Sequence, residues 1–373
     1  MILYIASAII FVFIALNLFY HSPLPLAVKI AGCLLLLIGS LKYEIYQFIG
    51  GAFFAPQLPR PLLLVFEALY GAVLILFFLL LLWDLYLLGN WLLGRAGIPV
   101  PHNLPSGAIK AGLVLLAVAL GAFGTWQAVK VPDVRTLAIK IADLPDGLKG
   151  TTIVQLTDLH IGPILKKSWL EQVVAKTNSL EPALVLLTGD YVDGYAAEIG
   201  QELAPLADLR ARYGIFAVTG NHEYYWNMPE WRETLANLGI PMLENEHARI
   251  AINGETIVVA GIPDLAGAKF GFPGPDLKKA LANAPQGLRI LLSHQPKHGS
   301  EYAHDIDLML SGHTHGGIMF FLQPLIARFN GGFVDGIYPT QGKNIYVSPG
   351  TGLWNGFSCR IGVPAEITQF ILE

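Results

Sequence analysis

Apolar residues fall along this chain in two different patterns, and the change comes near residue 130. Residues 1–20, 27–41, 62–88 and 107–129 are apolar almost throughout, without the alternation of a half-buried strand. A stretch of about 20 apolar residues in a helix crosses the hydrocarbon layer of a bilayer, so these runs predict four spans, the second the shortest. The first lacks a basic leader and a small-residue cleavage site, and reads as a retained span rather than a secretory signal. Lys29 and Lys42 bracket the second run and are placed to snorkel toward the interface. Trp83, Tyr86 and Trp91 suit an interfacial belt, and the small residues of the fourth run allow close helix packing. Glu67 and Asp84 lie near the ends of the third run and read as interface charges rather than as an ion pathway.

Beyond residue 130 short strand-like runs at 135–141, 151–157, 183–188, 215–219, 289–293 and 307–311 alternate with helical stretches at 167–179, 199–212, 229–238 and 275–283. Alternation at crossover length predicts a largely parallel sheet with helices outside it. Runs at 250–252, 256–260, 344–348 and 367–372 predict a second sheet. The expected fold class is therefore α/β, a two-sheet αββα sandwich over residues 131–373, preceded by a multi-span α-helical membrane region over residues 1–130.

Five of the strand-like runs end in Thr or Ser and pass at once into polar residues. The junctions are Thr157-Asp158-Leu159-His160, Thr188-Gly189-Asp190, Thr219-Gly220-Asn221-His222-Glu223, Ser293-His294 and Ser311-Gly312-His313-Thr314-His315. Ligands of open α/β sheets collect beyond the carboxyl ends of strands, so the series marks a site. Its members are Asp158, His160, Asp190, Asn221, His222, His294, His313 and His315. Mixed carboxylate and imidazole groups suit manganese, iron or zinc rather than calcium. Eight groups are too many for one ion, and two ions need a bridge, which a carboxylate such as Asp190 provides. Paired ions clamp both oxygens of an in-line phosphoryl displacement.

Charge and cysteine content narrow the reading. Only six of the 24 Lys and Arg and three of the 28 Asp and Glu fall in residues 1–130. No part is basic enough to suggest nucleic-acid binding. Cys33 and Cys359 offer neither a disulfide framework nor metal-ligand spacing. With four spans, Lys42, Arg60, Lys130 and Arg135 share one side against Lys29, Arg95 and Lys110, which leans the C-terminal domain toward the cytoplasm. His21, His102, His247, His298 and His304 lack strand-end context and read as surface or loop residues.

Asp-x-His, Gly-Asp, Gly-Asn-His-Glu, a later His and Gly-His-x-His, in that order, resemble the signature of the calcineurin-like metallophosphoesterases over about residues 150–373. The resemblance implies that Asp158, His160 and His315 hold one metal, Asn221, His294 and His313 the second, and that Asp190 bridges them. It implies that His222 stays off the metals and protonates the leaving oxygen, a role an imidazole suits. The phosphoprotein phosphatases of that superfamily carry Gly-Asp-x-x-Asp-Arg-Gly. Here Gly189-Asp-Tyr-Val-Asp193-Gly194 lacks the arginine, which disfavours a protein substrate and leaves Asp193 as a turn or supporting residue. Asp158-Leu-His-Ile-Gly162, Gly312-His-Thr-His-Gly-Gly317 and the tail from Val347-Ser-Pro-Gly-Thr-Gly352 through Pro364-Ala-Glu-Ile367 are similar to the membrane-linked YkuE/YaeI-type branch.

The expected activity is thus an integral, multi-pass cell-membrane phosphoesterase with two divalent ions. Its expected substrate is a phosphate mono- or diester, membrane-derived, such as a phospholipid or lipid precursor. One alternative is a membrane-anchored phosphodiesterase acting on soluble nucleotide-type esters; another is a non-catalytic scaffold. Residues 318–329, apolar and close to the Gly-His-Thr-His block, are expected either to rest on the bilayer or to pack against the sheet, with Arg328 toward an anionic headgroup in the first case.

Overall fold

The computed structural model describes residues 2–52, 54–101, 104–340 and 342–373, without the side chains of residues 2–4. His102 lies outside the described residues. The chain forms two compact units, Met1–Gln127 with Gly356–Cys359, and Ala128–Asn355 with Arg360–Glu373.

The first unit is helical. Its elements are α1 (Ile2–Ala15), which continues as a π-helical turn to Tyr20, α2 (Leu26–Ser40), α3 (Lys42–Ile49), α4 (Arg60–Arg95) and α5 (Ser106–Val129). Among the described residues α4 and α5 are long and apolar enough to cross a membrane. The α2–α3 pair would make a third span, but it bends by 69°, where Leu41 leaves the helical region of backbone space. The first run forms a shorter apolar helix over Ile5–Tyr20. Two helices, or three with the bent pair, thus stand where four spans were expected. The small residues of α5 do serve close packing: a Cβ on Gly121 would lie 2.5 Å from the Ala68 carbonyl oxygen of α4.

Two charges in this unit are placed differently from expectation. Lys42 and Glu67 are both fully buried. The Lys42 ammonium donates to both Glu67 oxygens, at 2.9 and 3.0 Å, and to the Gly356 carbonyl at 2.8 Å. Glu67 also accepts from the Tyr46 hydroxyl and from the Ser358 amide. Both side chains point into the protein rather than outward, and each supplies what the other lacks. A fully partnered pair is tolerated where a single charge in a low-dielectric interior is not.

The second unit carries two sheets, as expected, but both are mixed and the strands are shared out differently: the run at 367–372 joins the sheet of 151–157, whereas 289–293 and 307–311 join that of 250–260. The five-stranded sheet has the order β1 (Asp133–Ile139), β11 (Glu366–Leu372), β2 (Thr152–Leu156), β3 (Leu184–Leu187) and β4 (Ile215–Ala217). The six-stranded sheet has the order β5 (Glu246–Ile252), β6 (Glu255–Gly261), β7 (Leu288–Leu292), β8 (Leu308–Ser311), β10 (Lys343–Val347) and β9 (Gly336–Thr340). β2, β3 and β4 run parallel, as do β6, β7, β8 and β10, so their carboxyl ends share one edge of each sheet. Antiparallel partners β11 and β2, β5 and β6, and β9 and β10 make the sheets mixed.

Side-chain alternation sorts the core. Ile153, Leu184, Leu186, Ile257, Val259, Ile290, Leu292, Leu308, Leu310 and Tyr346, drawn from both sheets, form one buried cluster. Their neighbours Ala260, Leu291, Met309, Ile345 and Val347 form another with Leu277 and Ala280 of a short helix. A period of two puts successive residues on opposite faces, so the first cluster is the filling of the sandwich and the second faces an outer helix. The helix expected over 199–212 is a short α turn at Ala196–Ile199 followed by a 3₁₀ helix over Gly200–Asp208. Pro205, inside it, removes a backbone donor and disfavours regular α-helix.

Candidate metal centre

The strand-end residues do come together. Asp158, His160 and His315 can each point a ligand atom to within 4.8 Å of the others, and so can Asp190, His294 and His313. They are held on turns that ordinary residues avoid. Asp158, His160, Asp190, His313 and His315 all have φ between 45° and 71°, the left-handed region, which costs a non-glycine residue energy and persists where surroundings dictate it. The surroundings are backbone ties between neighbouring strand ends: Asp158 N–H to the Gly189 carbonyl, His160 N–H to that of Asp190, and Gly312 N–H to that of His294. Two glycines of the motifs have a steric reason. A Cβ on Gly220 would fall 2.1 Å from Asp190 Oδ1, and one on Gly312 would fall 2.2 Å from Asp158 Oδ2.

Glu223, which the sequence pattern contained without a role, stitches this frame. Its buried carboxylate accepts from the amides of Asp190, Tyr191 and Gly220. Burial first, and then the Asp190 charge, push its pKa up to about 7.

Asp190 is the hub. Its Oδ1 accepts from the His222 amide at 2.9 Å. Its Oδ2 lies 3.1 Å from His294 Nε2, 3.7 Å from His160 Nε2 and 3.8 Å from His222 Nε2. A single carboxylate oxygen, rather than one oxygen for each group, is therefore what the two clusters have in common. His294 donates through Nδ1 to the Thr188 carbonyl at 2.7 Å, which leaves an Nε2 lone pair facing an oxygen that can only accept. Two acceptors held that close need a proton or a cation between them. His160 Nε2, His294 Nε2 and Asn221 Oδ1 are all buried with no hydrogen-bond partner among the described residues. Buried polar atoms are almost always partnered, so this face fits divalent cations.

The electrostatics agree. Burial opposes charge on His160, but Asp193, Asp158 and Asp190 outweigh it and raise the ring to about 10. Burial is likewise overcome at His294, chiefly by Asp190. A cage that draws protons onto buried imidazoles attracts a metal cation for the same reason. His313, by contrast, is lowered to about 4 by burial and then by the neighbouring His294 charge, which keeps its ring neutral and able to ligate.

Asp193, read from sequence as a turn or supporting residue, has a definite place. Its Oδ1 lies 2.5 Å from His222 Nδ1 and 3.3 Å from His160 Nδ1. Its Oδ2 accepts from the Asn355 amide and side chain, at 3.2 and 2.9 Å. One carboxylate thus orients two imidazoles, the arrangement that fixes tautomer and aim in metal sites. Asn355 lies 162 residues away, and no local signal points to it.

The loop His313–Gly317 is backed by Arg360, a buried guanidinium that donates to the carbonyls of Pro349 and Gly352 at 2.7 Å and to those of His315 and Val363 at 3.4 Å. All its partners are carbonyls, so it serves the loop. An exposed aromatic ring adjoins His222: Tyr225 stands 5.2 Å from it and 5.8 Å from Phe270. Of the apolar stretch 318–329, Phe320, Leu325 and Phe329 are more than half exposed, so packing against the sheet does not account for them.

Residues 151–317 match the family model for calcineurin-like phosphoesterases, and that range contains all eight site positions. A transmembrane protein with metallophosphoesterase domain from Danio rerio is 35% identical over 324 residues, covering 83% of this chain and 73% of that protein. An uncharacterized metallophosphoesterase of Campylobacter jejuni is 35% identical over 309 residues, covering 82% and 80%. The metallophosphoesterase YkuE of Bacillus subtilis is 27% identical over 278 residues, covering 72% and 94%.

Proposed function

The chain belongs to the metallophosphoesterase family and is a metal-dependent phosphoester hydrolase, and on that premise we propose an integral-membrane enzyme with two divalent ions acting on a membrane-derived phosphate mono- or diester. The ions are manganese, iron or zinc; the substrate is a phospholipid or a lipid-linked precursor. Residues 1–130 form the membrane region and residues 131–373 the catalytic domain, on the cytoplasmic side.

The observation that carries the two-ion reading is Asp190 Oδ2, which lies 3.1 Å from His294 Nε2 and 3.7 Å from His160 Nε2. Asp158, His160 and His315 would hold one ion, Asn221, His294 and His313 the other, and Asp190 both. Bound there, the ions supply Lewis acidity and offset the charge of a phosphoryl group. The remaining chemistry is the chain's own. His222 gives its Nδ1 proton to Asp193 as a hydrogen bond, so Nε2 is the atom that exchanges a proton with the leaving oxygen. Asp193 keeps that ring and the His160 ring aimed inward. The frame of left-handed turns, Glu223 and Arg360 fixes the ligands before substrate arrives, which is where a positioned site gains its rate.

Support for a membrane-derived substrate comes from the relatives named as transmembrane proteins, from α4 and α5, and from the exposed Phe320, Leu325 and Phe329. The Tyr225 ring beside His222, with Phe270 next to it, suits an apolar leaving group. The soluble-ester reading keeps the same site and treats the helices as an anchor.

Purified protein in detergent decides. About two metals per chain, with turnover of lipid phosphoesters that is lost in Asp190→Asn and His222→Ala, is the expected result. Turnover of a chromogenic diester alone would replace the lipid reading with the anchored one. Neither metal nor turnover, with manganese, iron and zinc each supplied, would leave a scaffold.

A further inference from the structure

The segment Gly356–Cys359 groups with the helical unit although the residues on both sides of it belong to the sandwich. It is only four residues long, and the helical unit holds it by its backbone at Gly356 and Ser358. The Gly356 carbonyl accepts from the Lys42 ammonium and from the Tyr43 hydroxyl, at 2.8 and 2.7 Å. The Ser358 amide donates to Glu67 at 2.7 Å. The Phe357 ring packs edge-on against Tyr70 at 5.4 Å, and a Cβ on Gly71 would collide with the Cys359 sulfur at 2.7 Å. The Lys42–Glu67 pair is therefore more than a neutralised pair of charges: it is the clamp of this segment.

The residues at the two ends of the segment are the ones that support the metal centre. Immediately before it, Asn355 holds Asp193, and through it the rings of His222 and His160. Asn355 also accepts from the Ile164 amide through its side-chain oxygen. Immediately after it, Arg360 holds the carbonyls of His315, Pro349, Gly352 and Val363. A chain fixed over four residues leaves its two flanks little freedom, since each residue has only two soft backbone torsions.

We propose that Lys42 and Glu67 are positioning residues of the hydrolytic site: by clamping Gly356–Cys359 they fix Asn355 and Arg360, and through these the general acid and the His315 loop. The helices then contribute to turnover as well as to anchoring. The inference rests on the phosphoesterase reading given above, and it concerns residues that touch neither metal nor substrate.

The test uses full-length protein in detergent, manganese-loaded, with a soluble chromogenic phosphodiester so that membrane access plays no part. Lys42→Met combined with Glu67→Met removes both charges together, so that neither charge is stranded, and takes the acceptor from the Tyr46 hydroxyl and the Ser358 amide. Ser358→Pro removes the amide that Glu67 receives while leaving the helices unaltered. Lys42→Arg keeps a donor for both partners, and Lys110→Met removes a lysine elsewhere in the same unit. Metal content, kcat, KM and the manganese EPR spectrum are read for each.

The expected result is a five- to fiftyfold fall in kcat per metal-loaded site for the double variant and for Ser358→Pro. KM should stay within about twofold, metal content should be unchanged, and the EPR line shape should alter. Lys42→Arg and Lys110→Met should behave as wild type. A merely structural role would lower the yield of loaded protein without changing kcat per loaded site or the spectrum. Wild-type kcat in either the double variant or Ser358→Pro overturns the inference, as does an equal loss in Lys110→Met; if the double variant does not fold, Ser358→Pro decides alone. Failure of the phosphoesterase reading looks different, because wild-type protein itself would then bind no metal and turn nothing over.

Discussion

The two units bury charge in opposite ways. In the helical unit Lys42 and Glu67 spend their hydrogen-bonding capacity on each other, on Tyr46, and on the Gly356–Cys359 segment. In the sandwich unit Asp158, Asp190 and Asp193 stand among five imidazoles, and His160 Nε2, His294 Nε2 and Asn221 Oδ1 make no hydrogen bond among the described residues. A satisfied network fixes one arrangement and asks for nothing more. An unsatisfied one, kept in place by strained turns and by a stitched backbone, is arranged for something that arrives from outside. The difference separates a structural cluster from a functional one more clearly than burial does, since both are buried.

The largest effect falls on the unsatisfied cluster. His222→Ala should lower kcat by roughly 10²–10⁴, the range of a lost general acid or base, while metal content stays at the wild-type level. Metal analysis beside steady-state kinetics on one preparation checks it; loss of metal in proportion to activity would make His222 a ligand instead. On the satisfied cluster, Lys42→Met alone should cost about 3–5 kcal/mol, because it strands the Glu67 carboxylate in a low-dielectric interior. Denaturation in mild detergent reads this, and adding Glu67→Met should recover most of the stability. If the single change costs no more than the double, the pair is not the closed unit its geometry describes.

A smaller effect sits between the two. Asp193→Asn should reduce activity about 10–100-fold, the usual scale for a group that orients metal-site histidines. It keeps shape and one acceptor, so the loss measures the aim of the His222 and His160 rings. An effect as large as that of His222→Ala would place Asp193 in the proton transfer itself.

What sequence could foresee follows from how far apart the cooperating residues lie. The strand-end blocks are local: each ligand follows its strand within four residues, and the parallel order brings the strand ends to one edge. The pairs that support the site are separated by 25 residues for Lys42 and Glu67, 162 for Asp193 and Asn355, and 45 for Arg360 and the His315 carbonyl. No periodicity links such partners. Taken singly, Lys42 and Glu67 read as ends of spans, and only their pairing explains why both are buried. The helix expected over 199–212 failed on one residue, Pro205, whose missing donor shifts the stretch to 3₁₀ geometry.

The smallest expected effect tests whether the helical unit's apolar surface has a counterpart in the sandwich. Phe320, Leu325 and Phe329 are exposed on a stretch that begins three residues after the Gly317 of the metal loop. Water-facing aromatic surface of this kind gains by entering a bilayer or by covering an acyl chain, at about 25 cal/mol per Å² buried. Replacing Phe320 and Phe321 by Ser should therefore lower kcat/KM for lipid phosphoesters by about three- to tenfold, and leave a soluble diester unchanged, because neither ring belongs to the metal cage. The two substrates must be compared on one protein preparation. Equal loss on both would mean that the rings merely support the His315 loop, and the sandwich unit would then have no lipid-facing surface of its own at this stretch.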